Sequence, residues 1–234
     1  MLRKNPINSR LFLVATVSSV VALGVAGEAQ AASFTVYNTG AGVSPGAVDP
    51  HWQIVSAPPG VSTGAGSAIE LTSIPSPPWF ANDSTSQWIG SAQSGFFATG
   101  PGGFYTYETK FDLTGLDPST AVLKFFLASD DQSTTVALNG KIIIGNPPDG
   151  IPYGIEDIGF QGFPVAPLTI NREFVPGINT LRISLFTGDG TPTGLRVNFT
   201  EATAAAIPVP EPSAVAGLPL LAMSAGWFLK KKMK

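Results

Sequence analysis

FYTYETKFDLTGLDPSTAVLKFFLASDDQSTTVALN, residues 104–139, decides the fold. At its start Tyr105, Tyr107, Thr109, Phe111 and Leu113 fall on one side of an extended chain, and Thr106, Glu108, Lys110 and Asp112 on the other. Strict alternation with period two marks a half-buried β-strand. Gly115 and Asp117-Pro118 then turn the chain into a second strand over residues 121–129. That strand carries Leu123, Phe125 and Leu127 on one face and Val122, Phe126 and Ala128 on the other, interrupted by Lys124. A strand apolar on nearly both sides belongs in mid-sheet or under a covering loop. The acids and Gln132-Ser133 after it read as a turn, and Val136 and Leu138 as the inner face of a third strand. Asn139-Gly140 is a strong hairpin dipeptide, because both residues tolerate positive φ, and it leads into a strand over residues 141–144.

Working outward, Leu181, Ile183 and Leu185 alternate with Arg182 and Ser184, and Leu195, Val197 and Phe199 alternate with Arg196, Asn198 and Thr200. These two strands close the domain. On the other side, residues 34–38 and 51–56 read as strands, and residues 68–71 as a brief one. Loops fill residues 57–67, 91–103 and 145–167, punctuated by Pro58-Pro59-Gly60, Pro101-Gly102-Gly103 and Pro147-Pro148. No helical period appears between residues 33 and 202. About nine or ten short strands with frequent turns predict an all-β domain, an antiparallel β-sandwich of jelly-roll type.

Composition agrees. In 234 residues there are 26 glycines and 21 prolines, too many for a helical bundle. A hydrophobic share of 44% is enough to build a core. Cysteine is absent, which excludes disulfides, thiol catalysis and cysteine-based zinc sites. Residues 32–206 hold six basic and fourteen acidic side chains, a net of −8. Nucleic acid demands clustered Lys and Arg, so it is not an expected partner.

The two ends differ from this body. Arg3, Lys4 and Arg10 precede an uncharged apolar run over residues 11–24, and Ala29 and Ala31 stand at the −3 and −1 positions of a cleavage site. Residues 1–31 therefore read as a secretory signal peptide with an N-terminal helix, cut after Ala31. Residues 214–229 form a second uncharged segment, followed by Lys230, Lys231, Lys232 and Lys234. As a helix it would reach about 24 Å, marginal against a hydrocarbon core of about 30 Å. This predicts transient membrane contact with the basic end on the cytoplasmic side. The expected division is residues 1–31, 32–206 and 207–234.

Val209-Pro210-Glu211-Pro212-Ser213, then the apolar segment, then the lysines, resembles a PEP-CTERM sorting signal. The resemblance implies export, recognition by an exosortase, removal of the tail, and delivery to the cell surface or extracellular matrix of a Gram-negative-type bacterium that makes exopolysaccharide. The body resembles galactose-binding-like jelly rolls through Leu127-Ala128-Ser129-Asp130-Asp131, Val136-Ala137-Leu138-Asn139-Gly140 and Phe174-Val175-Pro176-Gly177-Ile178-Asn179-Thr180-Leu181. That pattern recurs in sugar-binding sandwiches, which implies a polysaccharide partner.

For catalysis the sequence offers little. His51 is the only histidine, and no G-x-S-x-G elbow accompanies it, so a structural role is expected. The acids lie mainly in turns, and an enzyme is not expected, a hydrolase with paired carboxylates being the remote alternative. No cofactor is expected beyond a structural calcium, for which Asp130 and Asp131, and separately Asp149, Glu156 and Asp157, offer hard oxygen ligands. For sugar binding, Trp52, Trp79 and Trp88 offer flat apolar faces for a pyranose, and Asn82, Asp83 or Gln87 offer hydrogen bonds. Tryptophan is equally a core residue of sandwiches. Arg182 and Arg196 share the outward parity of their strands and, if those strands pair, form a small basic spot.

Overall fold

A computed structural model describes residues 30–74, 77–91, 101–130, 132–145, 159–188 and 190–208. Its strands, in chain order, are β1 Ala31–Ser33, β2 Trp52–Ser56, β3 Ile69–Glu70, β4 Ile89–Gly90, β5 Gly103–Asp112 and β6 Leu116–Asp130. They continue as β7 Gln132–Leu138, β8 Lys141–Gly145, β9 Leu168–Ile170, β10 Ile178–Thr187 and β11 Gly194–Ala206. No helix occurs among the described residues. One sheet has the order β3-β4-β11-β6-β9, with β1 beside the end of β11, and the other has the order β2-β5-β10-β7-β8. Every pairing is antiparallel.

The period-two residues meet between the sheets. Tyr105, Tyr107 and Phe111 of β5, Leu181, Ile183 and Leu185 of β10, and Val136 and Leu138 of β7 supply one side of the core. Leu123, Phe125 and Leu127 of β6 and Leu195 and Val197 of β11 supply the other. Two facing sheets that bury alternate residues of each strand make a β-sandwich-like body. Burying one such large side chain contributes about 1.5–3 kcal/mol, and the layers are held together largely by that sum.

Turn chemistry fits its positions. Asn139 and Gly140 sit at φ +52° and +81°, the doubly left-handed pair of a tight hairpin between β7 and β8. Between β5 and β6, Asp112 accepts from the backbone and hydroxyl of Thr114 at 2.7 Å each. β6 belongs to one sheet and β7 to the other, and only residue 131 separates them, so the expected turn at residues 130–133 is a crossing between layers.

Three boundaries differ from the reading of the sequence. Residues 34–38 are not a named strand; the strand is Ala31–Ser33. Beyond it the chain follows β11 through two bonds, Phe34 N to Ala202 O at 3.1 Å and Thr39 N to Val197 O at 3.2 Å. Leu168–Ile170 adds an edge strand to β6 that its three residues were too few to announce. The second strand, expected over residues 121–129, is longer, running Leu116–Asp130.

β6 is apolar on both faces because the outer face of its sheet is also covered. Leu71, Trp79, Trp88 and Ala128 form a second buried cluster there, with Ile74, Phe80, Phe160 and Phe163 packed against it. The Phe126 ring lies 5.6 Å from that of Phe163. At the opposite pole the two boundaries of the body meet: Ala31 pairs with Ala205, and Ala206 N donates to Gln30 O at 3.2 Å. Cleavage after Ala31 would therefore fall at the first residue of β1. The remaining residues of the expected addressing segments, Ala29 and Val209, Pro210, Glu211, Pro212 and Ser213 among them, lie outside the described residues.

Candidate functional site

Trp52, Trp79 and Trp88, the residues offered as a sugar platform, are interior residues, and of them Trp52 also lines a cleft. Trp52 is 2% exposed, Trp79 2% and Trp88 0%. Each indole N–H is used inside the protein: Trp52 to Tyr37 O at 3.0 Å, Trp79 to Asp130 Oδ2 at 2.7 Å, and Trp88 to Phe80 O at 3.0 Å. The Trp79 and Trp88 rings pack at 4.4 Å over Gly194, while Trp52 belongs to the central core. A buried indole removes a large apolar area from water and satisfies its single donor, and both are achieved here without a ligand.

The polar residues of the same loop hold it closed. Asn82 Nδ2 donates to Glu70 Oε1 at 3.1 Å, and Asn82 Oδ1 accepts from Trp88 N at 2.8 Å. Asp83 Oδ1 accepts from Thr85 N, Thr85 Oγ1 and Ser86 N. Gln87 Nε2 donates to Gly40 O at 2.6 Å and Val43 O at 3.1 Å. Asp130 is 4% exposed and is engaged by Trp79, and Asp131 lies outside the described residues, as do Asp149, Glu156 and Asp157. Among the described residues no three carboxylate or imidazole side chains are placed to hold a metal ion.

Arg182 and Arg196 do not form a common spot, because their strands belong to different sheets. Arg196 is fully buried under the tryptophan loop. Its Nε donates to Ser86 Oγ at 2.9 Å, Nη1 to Ala81 O at 2.6 Å and Nη2 to Asp83 Oδ2 at 2.5 Å. Its guanidinium carbon stands 4.5 Å from the Phe80 ring centre and 5.2 Å from that of Phe163. Burial raises the Asp83 carboxyl, but the bonds from Thr85 and Ser86 and the charge of Arg196 outweigh it and bring it down to about 2. The outward parity of Arg196 is real; a loop from residues 79–91 lies on that face and makes it interior.

Two more acids are buried beside this loop, and the sequence did not single them out. Glu70 is fully buried, its Oε2 has no hydrogen-bond partner among the described residues, and desolvation raises its carboxyl to about 7. Asp49 is 1% exposed and accepts from Gly40 N at 2.7 Å and His51 N at 2.8 Å. Burial raises its carboxyl too, only partly offset by those bonds. For Glu70 the signal available was position, since it lies inside the short strand β3 rather than in a polar turn.

Beside edge strand β2 a cleft of about 380 Å³ opens to solvent, lined among others by Asp49, His51, Trp52, Gln53, Glu108 and Lys110. His51 lies flat on Tyr37, ring centres 3.4 Å apart and planes within 5°, and Tyr37 is 41% exposed. This gives the cleft an aromatic neighbour, with exposed Val48 at its rim. Glu108 is 3% exposed and is the hub of the polar wall. Its Oε1 accepts from Gln53 Nε2 at 2.9 Å and pairs with Lys110 Nζ at 3.3 Å, and its Oε2 accepts from Arg182 Nε at 2.8 Å. Burial opposes its charge, but bonds from Arg182, Gln53 and Lys110 hold the carboxyl below its ordinary value. Aromatic surface beside a few fixed polar groups is the common make-up of a small-ligand site.

No family model matches this chain, and neither does any curated protein or solved structure.

Proposed function

We propose that the protein is an exported, non-enzymatic β-sandwich of jelly-roll, galactose-binding-like type that associates with carbohydrate at the cell surface or in the extracellular matrix. A PEP-CTERM tail read by an exosortase delivers it there. The observation that carries the address is the order Val209-Pro210-Glu211-Pro212-Ser213, uncharged segment, lysines. What supports binding is the cleft beside β2, which sets Trp52, the stacked His51 and Tyr37 rings and several hydrogen-bonding groups near one another.

A second reading is a matrix protein without a discrete ligand site, and the burial of Trp52, Trp79 and Trp88 favours it. A glycan array probed with the full chain in mild detergent, with and without calcium, separates the two. Retention of any glycan supports the binding reading; none in either condition leaves the structural one. Mass spectrometry of the exported protein tests the address, and a chain still ending at Lys234 refutes tail removal.

A further inference from the structure

We infer that the cleft beside β2 accepts an acidic sugar, a hexuronate unit of an anionic polysaccharide, whose carboxylate is received by Lys110 and Arg182. Lys110 belongs to the cleft lining; Arg182 lies outside that lining, on the neighbouring strand, and is bonded to Glu108. The inference rests on the polysaccharide reading above. Gln53, Glu108 and Arg182 stand in one row across three strands, since Gln53 pairs with Glu108 and Glu108 with Arg182. Lys110 follows two residues along β5, on the same face. Both oxygens of Glu108 are consumed by this row. The glutamate is thus an internal brace, and one buried negative charge fixes two cations that remain 47% and 57% exposed.

Within the brace two positive charges meet one negative, on a body whose net charge is −8, and the cleft's other acid, Asp49, turns its two oxygens to Gly40 N and His51 N. Arg182 gives Glu108 only its Nε among the described residues, so its two terminal nitrogens present an outward fork. A planar fork matches a carboxylate in two parallel bonds, and a nearby ammonium adds a second charge-assisted donor. Because Glu108 already orders both side chains, a ligand meets donors that have lost their rotamer freedom, which improves affinity. The stacked rings of Tyr37 and His51 and the exposed Val48 supply apolar surface for a sugar ring. At about 380 Å³ the cleft lies near the lower end of the usual range of about 300–1,000 Å³, a size suited to a short stretch of chain.

The test is binding of the full chain, in mild detergent, to immobilised polygalacturonate, to its methyl ester and to dextran sulfate. The ester keeps the sugar and removes the charge; the sulfate keeps charge and changes its geometry. Selective binding of the free acid is expected, with Arg182→Gln and Lys110→Gln each weakening it about tenfold while tryptophan emission stays as in the parent. Equal binding of acid and ester overturns the inference and leaves the polysaccharide reading standing. Equal binding of dextran sulfate shows a general polyanion surface and also overturns it. Retention of the acid by both variants refutes the placement. Failure to bind any glycan, here or on the array, removes both readings together.

Discussion

Replacing Arg196 with alanine tests whether one buried cation pins the tryptophan loop to the outer sheet. The change deletes two charge-assisted bonds to protein acceptors, Ala81 O and Ser86 Oγ. Each contributes about 1.5 kcal/mol or somewhat more. It also deletes the contacts of the guanidinium with the Phe80 and Phe163 rings, about 1 kcal/mol, and opens a void beside those rings, which themselves meet at 4.9 Å. The ion pair itself adds little, because the Asp83 side chain is 53% exposed and regains water when its partner leaves. Relief of the buried guanidinium offsets part of the loss. The net expectation is destabilisation of about 3 kcal/mol, within the range of such deletions. Arg196→Met keeps packing against the two rings and is expected to recover about 1 kcal/mol of it. Urea unfolding of the full chain in mild detergent, followed by tryptophan emission, measures both. A native-state red shift is expected in the alanine variant, as Trp79 and Trp88 gain water. Stability within 0.5 kcal/mol of the parent, roughly the scatter of surface substitutions, with unshifted emission, refutes the pinning role.

Other expectations follow from single atoms. Glu70 has a folded pKa of about 7 against an ordinary 4.5, so its stability contribution is greatest below 4.5 and is lost as pH rises toward 7. The total is about 3 kcal/mol, and Glu70→Gln should flatten that slope in unfolding measured between pH 5 and 8; parallel curves for variant and parent would contradict it. At Gly194 an added Cβ would stand 2.7 Å from Trp79 Cη2 and 2.8 Å from Cζ3, rigid ring atoms with no path of retreat. Gly194→Ala is therefore expected to cost about 1–3 kcal/mol and to alter the near-UV dichroism of the indoles, whereas an unchanged melting temperature would show that the rings shift at no cost. The buried hydroxyl of Tyr107 has no hydrogen-bond partner among the described residues, so Tyr107→Phe should leave stability unchanged or raise it by about 1 kcal/mol; a loss of that size in urea unfolding would reveal a partner.

The long strands were legible because their period is local. Tyr105 to Phe111, Leu181 to Leu185 and Leu195 to Val197 alternate without interruption, and all point into the core. The Asn139-Gly140 hairpin was legible for a similar reason, two adjacent residues setting the backbone. What escaped was the third dimension of the outer sheet. Arg196 reads as outward by parity, and it is; only the distant segment containing Phe80, Asp83 and Ser86 makes that face interior. The same segment turned Trp79, Trp88 and Asp83 from apparent ligand contacts into scaffold. The cleft was hidden because its parts, His51 and Gln53 at the start of one strand and Glu108 and Lys110 in another, are far apart in the chain and look like ordinary alternating polar positions.

The hydrogen bond between Gln30 and Ala206 brings the entry and exit of the sandwich within one peptide of each other. Such a body behaves like a bead on a single stalk. Whichever flanking segment holds it, the same pole faces the anchor, so exchanging one tether for the other does not turn the cleft. It also suits transplantation: spliced at these two points into a surface loop of an unrelated host, the sandwich spans almost no gap and leaves the host chain undisturbed.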